Sequence, residues 1–197
     1  MGKITGSSCH ILFPKRENKT TQESYAMELA IAKLFNYRQN ASSWQMDHGH
    51  TREAMAMDIF RNTYPFAYFP EFKSLGEYGG SADCMIPDED FGVDFKCPTS
   101  LEKWLSYLNG VDHQQERQAQ MYMWLYEKPK WKIIAFLNET NFMIDSGEAY
   151  PVPPGKRFIV CEIHRDPLFE AQIQERGAIL LKRRDEIIEE LKIKLSI

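Results

Sequence analysis

Apolar positions recur along this chain in two rhythms, and the change from one to the other marks where element type changes. Over residues 21–38, Tyr25, Leu29, Ala32 and Leu34 follow helical spacing, and Thr21-Gln22-Glu23-Ser24 offers a helix start. A second helix is predicted over 43–61, broken or kinked near Gly49. Ahead of both, the apolar stretch 4–13 opens with Thr5-Gly6-Ser7-Ser8, the composition of a helix cap, and 14–21 reads as a polar loop. Pro65 and Pro70 bracket an irregular aromatic segment.

The middle of the chain turns strand-like. Runs 79–86 and 91–97 are joined by Pro87-Asp88-Glu89-Asp90, which has strong turn chemistry. Pro98-Thr99-Ser100 ends the second run and caps a helix over 101–108, and another helix is predicted over 112–126. Runs 131–137 and 157–164, rich in Ile, Val and Phe, read as buried strands. The loop between them carries Pro151, Pro153, Pro154 and Gly155. From Asp166 onward the pattern is one long, charged, amphipathic helix. No internal repeat interrupts this order, which implies an α/β sandwich with a mixed central sheet flanked by helices, in one domain.

Composition changes the picture in few places. Apolar residues make up 43% and charged residues 26%, as in ordinary soluble proteins. No apolar run approaches the roughly 18 residues a membrane span needs, and Met1-Gly2-Lys3-Ile4-Thr5-Gly6 has neither a signal-peptide core nor Ser or Thr where myristoylation prefers it. A cytoplasmic protein is expected, in the host cytoplasm if the gene is viral. The net charge of −4 weighs mildly against a nucleic-acid partner, although a chain that gathers carboxylates around metal ions can be acidic and still bind one. Two basic clusters, Lys128-Lys130-Lys132 and Lys182-Arg183-Arg184, read by themselves as solvated element ends. Cys9, Cys84, Cys97 and Cys161 form no C-x-x-C pair and read as free thiols; zinc held by Cys84, Cys97, His48 and His50 lacks the usual ligand spacing.

Candidate chemistry concentrates in Gly80-Ser81-Ala82-Asp83 and Gly92-Val93-Asp94-Phe95-Lys96. Alternation along a strand puts Asp94 and Lys96 on one face and Phe95 on the other. The tight turn folds the preceding strand back and can bring Asp83 beside Asp94. Two carboxylates and a lysine make an oxygen-lined site suited to Mg²⁺, able to polarise a phosphate and activate water, with a second ion for the leaving oxygen. Lys96 would hold or deprotonate that water and balance charge on the phosphorane. An Asp-x-Lys sequence is by itself a common surface charge pair. Here Val93 and Phe95 make the strand buried, and buried carboxylates need partners. Glu53, on the second predicted helix, could reach the same metals. Gln114, Gln115, Gln118, Gln120 and Tyr122 follow on the helix after Asp112, with Gln118 and Tyr122 on one face, offering neutral donors and acceptors to a phosphate backbone or a metal-bound water.

In this order the residues resemble the phage lambda exonuclease family of PD-(D/E)XK nucleases. Ile4-Thr5-Gly6-Ser7 is similar to that family's I-T-A-S segment, and Gly49-x-x-x-Glu53 and Ser81-Ala82-Asp83 to its later ones. The likeness is strongest at Asp94-Phe95-Lys96-Cys97-Pro98-Thr99-Ser100 and at Gln118-Ala119-Gln120-Met121-Tyr122-Met123-Trp124. The Val160-Cys161-Glu162-Ile163 strand and the terminal helix extend it over nearly the whole chain.

The resemblance implies a restriction-endonuclease-like core. It implies Asp83, Asp94 and the main-chain carbonyl of Phe95 as metal ligands, and Lys96 as the catalytic lysine. Glu53 would bind or orient a metal or its water, Gln118 would position the attacking water, and Ser7 would contact a DNA phosphate; Gln114 and Tyr122, from the polar face of the helix after Asp112, are further candidates to meet DNA. The implied cofactor is Mg²⁺ or Mn²⁺, as two ions. The implied activity is 5′-to-3′ degradation of linear duplex DNA, by a ring-like homo-oligomer that hands a 3′ single strand to an annealing recombinase. Three departures stand out. Asp94 replaces the commoner Glu; Ala82 and Cys84 replace Pro and Gly around Asp83; and the upstream arginine that grips a 5′ phosphate is expected to lack a counterpart, which predicts a weaker preference for phosphorylated ends. An endonuclease, a RecB-type nuclease or a non-catalytic DNA-binding module remain the other readings, the iron–sulfur members being disfavoured because Cys161 is alone in its region.

Overall fold

The computed structural model describes residues 2–14, 19–37, 44–137, 152 and 156–197. In chain order the elements are β1 (Ile4–Thr5), a 3₁₀ helix (Gly6–Leu12), α1 (Lys19–Leu34), α2 (Trp44–Phe60), β2 (Lys73–Leu75), β3 (Tyr78–Gly80), β4 (Cys84–Met85) and β5 (Phe91–Lys96). Then follow α3 (Leu101–Ser106), a 3₁₀ turn (Tyr107–Asn109), α4 (His113–Tyr126), β6 (Lys130–Phe136), β7 (Phe158–His164) and α5 (Pro167–Leu195).

The strands form two mixed sheets. The larger has the order β4-β5-β6-β7, with β5 and β6 parallel and the outer pairs antiparallel; the smaller has the order β1-β3-β2. A parallel pair needs a long crossover. Here α3 and α4 supply it, which lays α4 across one face of the larger sheet, while α2 covers the other. Val93, Phe95 and Ile134 pack with Ala56, Met57 and Phe60 of α2, the rings of Phe60 and Phe95 meeting edge-on at 5.5 Å. Trp131 and Ile133 pack on the opposite face with Ala119, Tyr122 and Met123 of α4. β5 is therefore covered on both faces, so anything polar on it must find partners inside the protein.

The helix starts follow their caps. Ser100, Asp112 and Asp166 accept from the amides of Lys103, Gln115 and Leu168 at 3.2, 2.8 and 2.9 Å, and Pro167 opens α5. Each such cap contributes about 1 kcal/mol. Thr5 does not act this way: it is extended and makes no side-chain cap bond to the 3₁₀ helix that follows it. α1 begins two residues before the predicted start, α2 runs through Gly49 unbroken, and the helix predicted over 101–108 tightens into a 3₁₀ turn at Tyr107. The predicted loop residues Pro151, Pro153, Pro154 and Gly155, like residue 38 at the predicted end of the first helix, lie outside the described residues.

The main correction concerns the run predicted as one strand over 79–86. β3 belongs to the small sheet and β4 to the large one, with Ser81, Ala82 and Asp83 in neither. The hydroxyl of Tyr126 takes the place of a neighbouring strand there. It donates to the carbonyls of Gly80 (3.2 Å) and Glu71 (3.3 Å), as alternatives, and accepts from the amide of Ala82 at 3.2 Å. β2, which apolar patterning did not predict, is three exposed residues paired with β3.

Both basic clusters have members bound into the fold. Lys128 reaches the carbonyl of Glu89, Lys130 pairs with Asp90 at 3.0 Å, and Lys132 lies 3.6 Å from the ring centre of Phe91. Arg183 pairs with Glu23, Glu186 and Glu190. Arg184 is buried, at 1% exposure, and bonds the carbonyl of Gly2 at 3.0 Å and the carboxylate of Glu77 at 2.8 Å, tying α5 to the N-terminus and to the turn before β3.

Arg184→Ala is expected to destabilise the fold by about 3 kcal/mol, the low end for a broken buried pair because Glu77 keeps contact with water. Melting should fall by about 6–12 °C in a chain of this length. Hydrogen bonding to Arg184 holds the Glu77 carboxyl down at about 2. A depressed carboxylate stabilises the folded state above its ordinary range, and that contribution fades as pH falls toward 2. The variant should therefore lose part of the wild-type acid sensitivity, and a denaturation series across pH reads both effects.

No helix among the described residues is long and apolar enough to cross a membrane.

Candidate active site

The strand β5 directs Asp94 and Lys96 toward α4. Asp94 is fully buried, and Lys96 Nζ lies 3.3 Å from its Oδ2. The same ammonium donates to Gln118 Oε1 at 3.4 Å, and Gln118 Nε2 donates to the hydroxyl of Tyr122 at 3.2 Å. A line of contacts thus runs from a buried carboxylate through a lysine and a glutamine to a tyrosine one turn along α4.

Asp83 arrives from the other side of β5. β4 is only two residues long, so the ladder ends before Phe95, whose amide turns toward that edge without a strand carbonyl to meet. Asp83 Oδ2 accepts it instead, at 2.8 Å. In an extended strand the N–H and C=O of one residue leave on the same side. The carbonyl of Phe95 therefore faces the edge where the Asp83 carboxylate sits. The break between β3 and β4 is what lets Asp83 take this position.

Electrostatics show a centre with too much negative charge. Burial first, then the neighbouring Asp94 and Glu53 charges, push the Asp83 carboxyl well above the usual carboxylate range, against the pull of Lys96 and the Phe95 amide. Burial pulls the Lys96 ammonium down, but Asp94 and Asp83 outweigh it and hold the group above its ordinary value. The Tyr122 hydroxyl is raised by burial and by the Asp94 charge. Asp94 Oδ1 is buried and has no hydrogen-bond partner.

An orphaned carboxylate oxygen beside a second carboxylate suits a hard divalent cation. Asp83, Asp94 and the Phe95 carbonyl form an all-oxygen donor set of the kind Mg²⁺ or Mn²⁺ takes, with water completing the shell. Glu53 is half-buried and near enough for its charge to act on Asp83 and Cys97. Among the described residues no three His, Cys, Asp or Glu side chains close on one point, so main-chain oxygen and water are needed to complete such a shell. The zinc set does not form among them either. Burial pushes the thiols of Cys84 and Cys97 up to about 12, keeping both protonated, and the side chains of His48 and His50 lie outside the described residues.

The remaining residues singled out from sequence fall at different distances from this centre. Ser7 is exposed on the 3₁₀ helix, with its Oγ 3.2 Å from that of Thr5. It follows Gly6, and a Cβ on Gly6 or Gly80 would meet Tyr122 Cε1 at 2.3 or 2.5 Å. The Tyr122 ring is thus clasped between two backbones that only glycine allows so close. Tyr122 is buried, so its place is inside the centre, bonded to Gln118, and not on an open DNA-facing surface. Gln114 is exposed one turn before Gln118.

The glutamines do not form one stripe. Gln115 bonds the hydroxyl of Tyr107, while Gln120 is buried between the carbonyl of His164 and the amide of Asp166, joining α4 to the start of α5. Tyr126, which holds the segment leading to Asp83, was not singled out from sequence. Its spacing of four from Tyr122 on the helix face toward β5 was the signal that could have found it.

Tyr122→Phe removes one hydroxyl and leaves the ring in its clasp. Gln118 then loses an acceptor and Lys96 a fixed neighbour. The net loss is about 1 kcal/mol, for roughly a fivefold fall in any turnover this centre supports and little change in melting. Rates and melting curves of the two proteins, taken together, check this; an unchanged rate would leave Tyr122 a packing residue only.

The fold is shared with two exonucleases of known structure. One is an alkaline exonuclease, LHK-Exo from Laribacter hongkongensis, at TM-score 0.78 and 18% identity over 99% of this chain and 94% of that one. The same enzyme in complex with dAMP superposes at TM-score 0.78 with 19% identity over the same shares of the two chains. The other is a phage-related exonuclease from Haemophilus somnus 129PT, at TM-score 0.73 and 21% identity over 96% of each chain. The sequence itself matches no protein-family model and no curated protein. At these identities the likeness establishes the fold, an α/β architecture of the PD-(D/E)XK type. It is the fold that the resemblance to the lambda exonuclease family implied.

Proposed function

We propose that this chain is a metal-dependent deoxyribonuclease that hydrolyses phosphodiester bonds from the ends of linear duplex DNA, in the 5′-to-3′ direction. The observation that carries this reading is the unpartnered Asp94 Oδ1, buried beside Asp83 and Lys96. A buried charged oxygen without a donor costs several kcal/mol unless a cation completes it. The shared exonuclease fold supports the same reading.

In this reading Asp83, Asp94 and the Phe95 carbonyl hold the cation. When bound, Mg²⁺ supplies Lewis acidity toward the phosphate and a more acidic water. Asp83 is kept in place by the Phe95 amide, so this ligand needs no reordering. Lys96 is held as an ammonium by Asp94 and Asp83, which suits it to hold water and balance charge on the attacked phosphate. Gln118, fixed by Lys96 on one side and Tyr122 on the other, orients that water. Exposed Ser7 and Gln114 are placed to meet the DNA backbone.

Digestion of end-labelled linear duplex beside a closed circle, with Mg²⁺ or with EDTA, tests the proposal. Loss of label from linear DNA alone, in Mg²⁺ alone, supports it. Nicking of the circle would make the chain an endonuclease, and intact DNA in every lane would leave a binding module.

A further inference from the structure

The buried stripe of α2 does not end with its apolar residues. Ala56, Met57 and Phe60 pack against Val93 and Phe95, and Arg52 and Glu53 lie one turn earlier on the same helical face. That line leads to Cys97, just past the end of β5, where the charges of Glu53, Asp83, Arg52 and Lys96 all act. Arg52 therefore borders the same centre from the α2 side.

Its guanidinium is incomplete. Arg52 Nη1 is buried and has no acceptor. Other arginines of the chain end on acceptors: Arg61 on the carbonyl of Ala67, Arg117 on that of Phe13, Arg176 on that of Leu12, and Arg184 on Glu77. Among the described residues, the buried side-chain atoms lacking a partner are Arg52 Nη1, Asp94 Oδ1 and Trp131 Nε1. Two of these belong to charged groups, of opposite sign: Asp94 lies at this centre, and Arg52 beside Cys97 at its α2 edge. An orphaned acceptor asks for a cation; an orphaned guanidinium donor asks for an anion.

We propose that Arg52 is an anion-binding residue of this centre and takes a phosphate of the DNA strand there. The inference rests on the nuclease reading above and adds to it an interaction that reading does not use. A planar guanidinium matches the oxygens of a phosphodiester, and the Arg52 side chain that carries it is half-buried and not closed off from solvent. Carboxylates outnumber cations around it, so the anion enters only once a divalent cation offsets them.

The test is binding of a short labelled linear duplex in Ca²⁺, across a series of NaCl concentrations, by wild type, Arg52→Gln and Arg52→Lys, with melting curves for each. Arg52→Gln should bind about ten- to a hundredfold more weakly, as expected when a charge-assisted hydrogen bond is removed. Its slope of log affinity against log salt should fall by about 0.9, as expected when the protein neutralises one phosphate fewer. Arg52→Lys keeps the charge but not the fork, and should bind more weakly with the slope retained. If Arg52→Gln does not fold, Arg52→Lys decides: weaker binding at unchanged melting supports the proposal, and wild-type affinity overturns it. Unchanged affinity and slope in Arg52→Gln overturn it too, as does a fall in melting with no change in slope. Wild-type protein that neither binds duplex in Ca²⁺ nor cuts it in Mg²⁺ removes the nuclease reading itself, a result the variants cannot mimic.

Discussion

Asp94→Asn should lower cleavage by about a thousandfold or more while the protein still folds. A metal ligand is worth several kcal/mol in the transition state, and each 1.4 kcal/mol is tenfold in rate. The amide keeps the shape of a fully buried side chain but loses the charge that a cation needs. Asp83→Asn should act the same way, and its amide oxygen can still accept from Phe95, so the local backbone has no reason to move. Cleavage at the wild-type rate in saturating Mg²⁺ would take both residues out of the mechanism.

The same pair makes a second, independent signal. Asp83 is raised by burial and by Asp94, so the folded state binds a proton that the unfolded chain has released. A carboxyl raised on folding makes stability fall as pH rises from the ordinary carboxylate range through its folded value. A bound cation removes that penalty. Mg²⁺ should therefore raise wild-type melting more at neutral than at acid pH, and should raise that of Asp94→Asn little at either.

For Lys96→Ala the expected result is a loss of turnover of about 10²–10⁴ with cation affinity kept or improved. The lysine shares Asp94 with the cation, and removing it takes a like charge away from the ion. Calorimetry with Mg²⁺ separates the two quantities; lost binding as the main defect would contradict this role. Lys96→Arg should restore little, because the position is reached by a single ammonium meeting Asp94 and Gln118, and a planar fork has different reach.

How much of this could be read beforehand depended on how local the determinant was. Ser100, Asp112 and Asp166 announce their helices because a cap acts on the next three residues. β5, β6 and β7 were legible as buried apolar runs, and the alternation at Asp94-Phe95-Lys96 follows from strand geometry alone. The break at Ser81 was not legible, since a hydroxyl 44 residues away holds Ala82. Nor was the fate of Arg184, whose partner Glu77 is 107 residues distant. Glutamines four or fewer apart on one helix look alike in sequence. The structure separates Gln118 from Gln120 because one faces β5's polar pair and the other the junction of β7 and α5.

The gap between the two sheets also bears on which residues can neighbour Asp83 at all. No ladder spans Ser81, Ala82 and Asp83, so pairing register places no demand on the identities there. What remains is room: Ala82 and Cys84 are both buried, and both keep φ on the negative side. A glycine after the aspartate would satisfy a dihedral requirement this backbone does not have, and a proline before it would remove the amide that Tyr126 holds. Small side chains of ordinary conformation are thus sufficient around this aspartate. Size, and not conformation, is what the segment asks of those neighbours, while the carboxylate stays where the Phe95 amide anchors it.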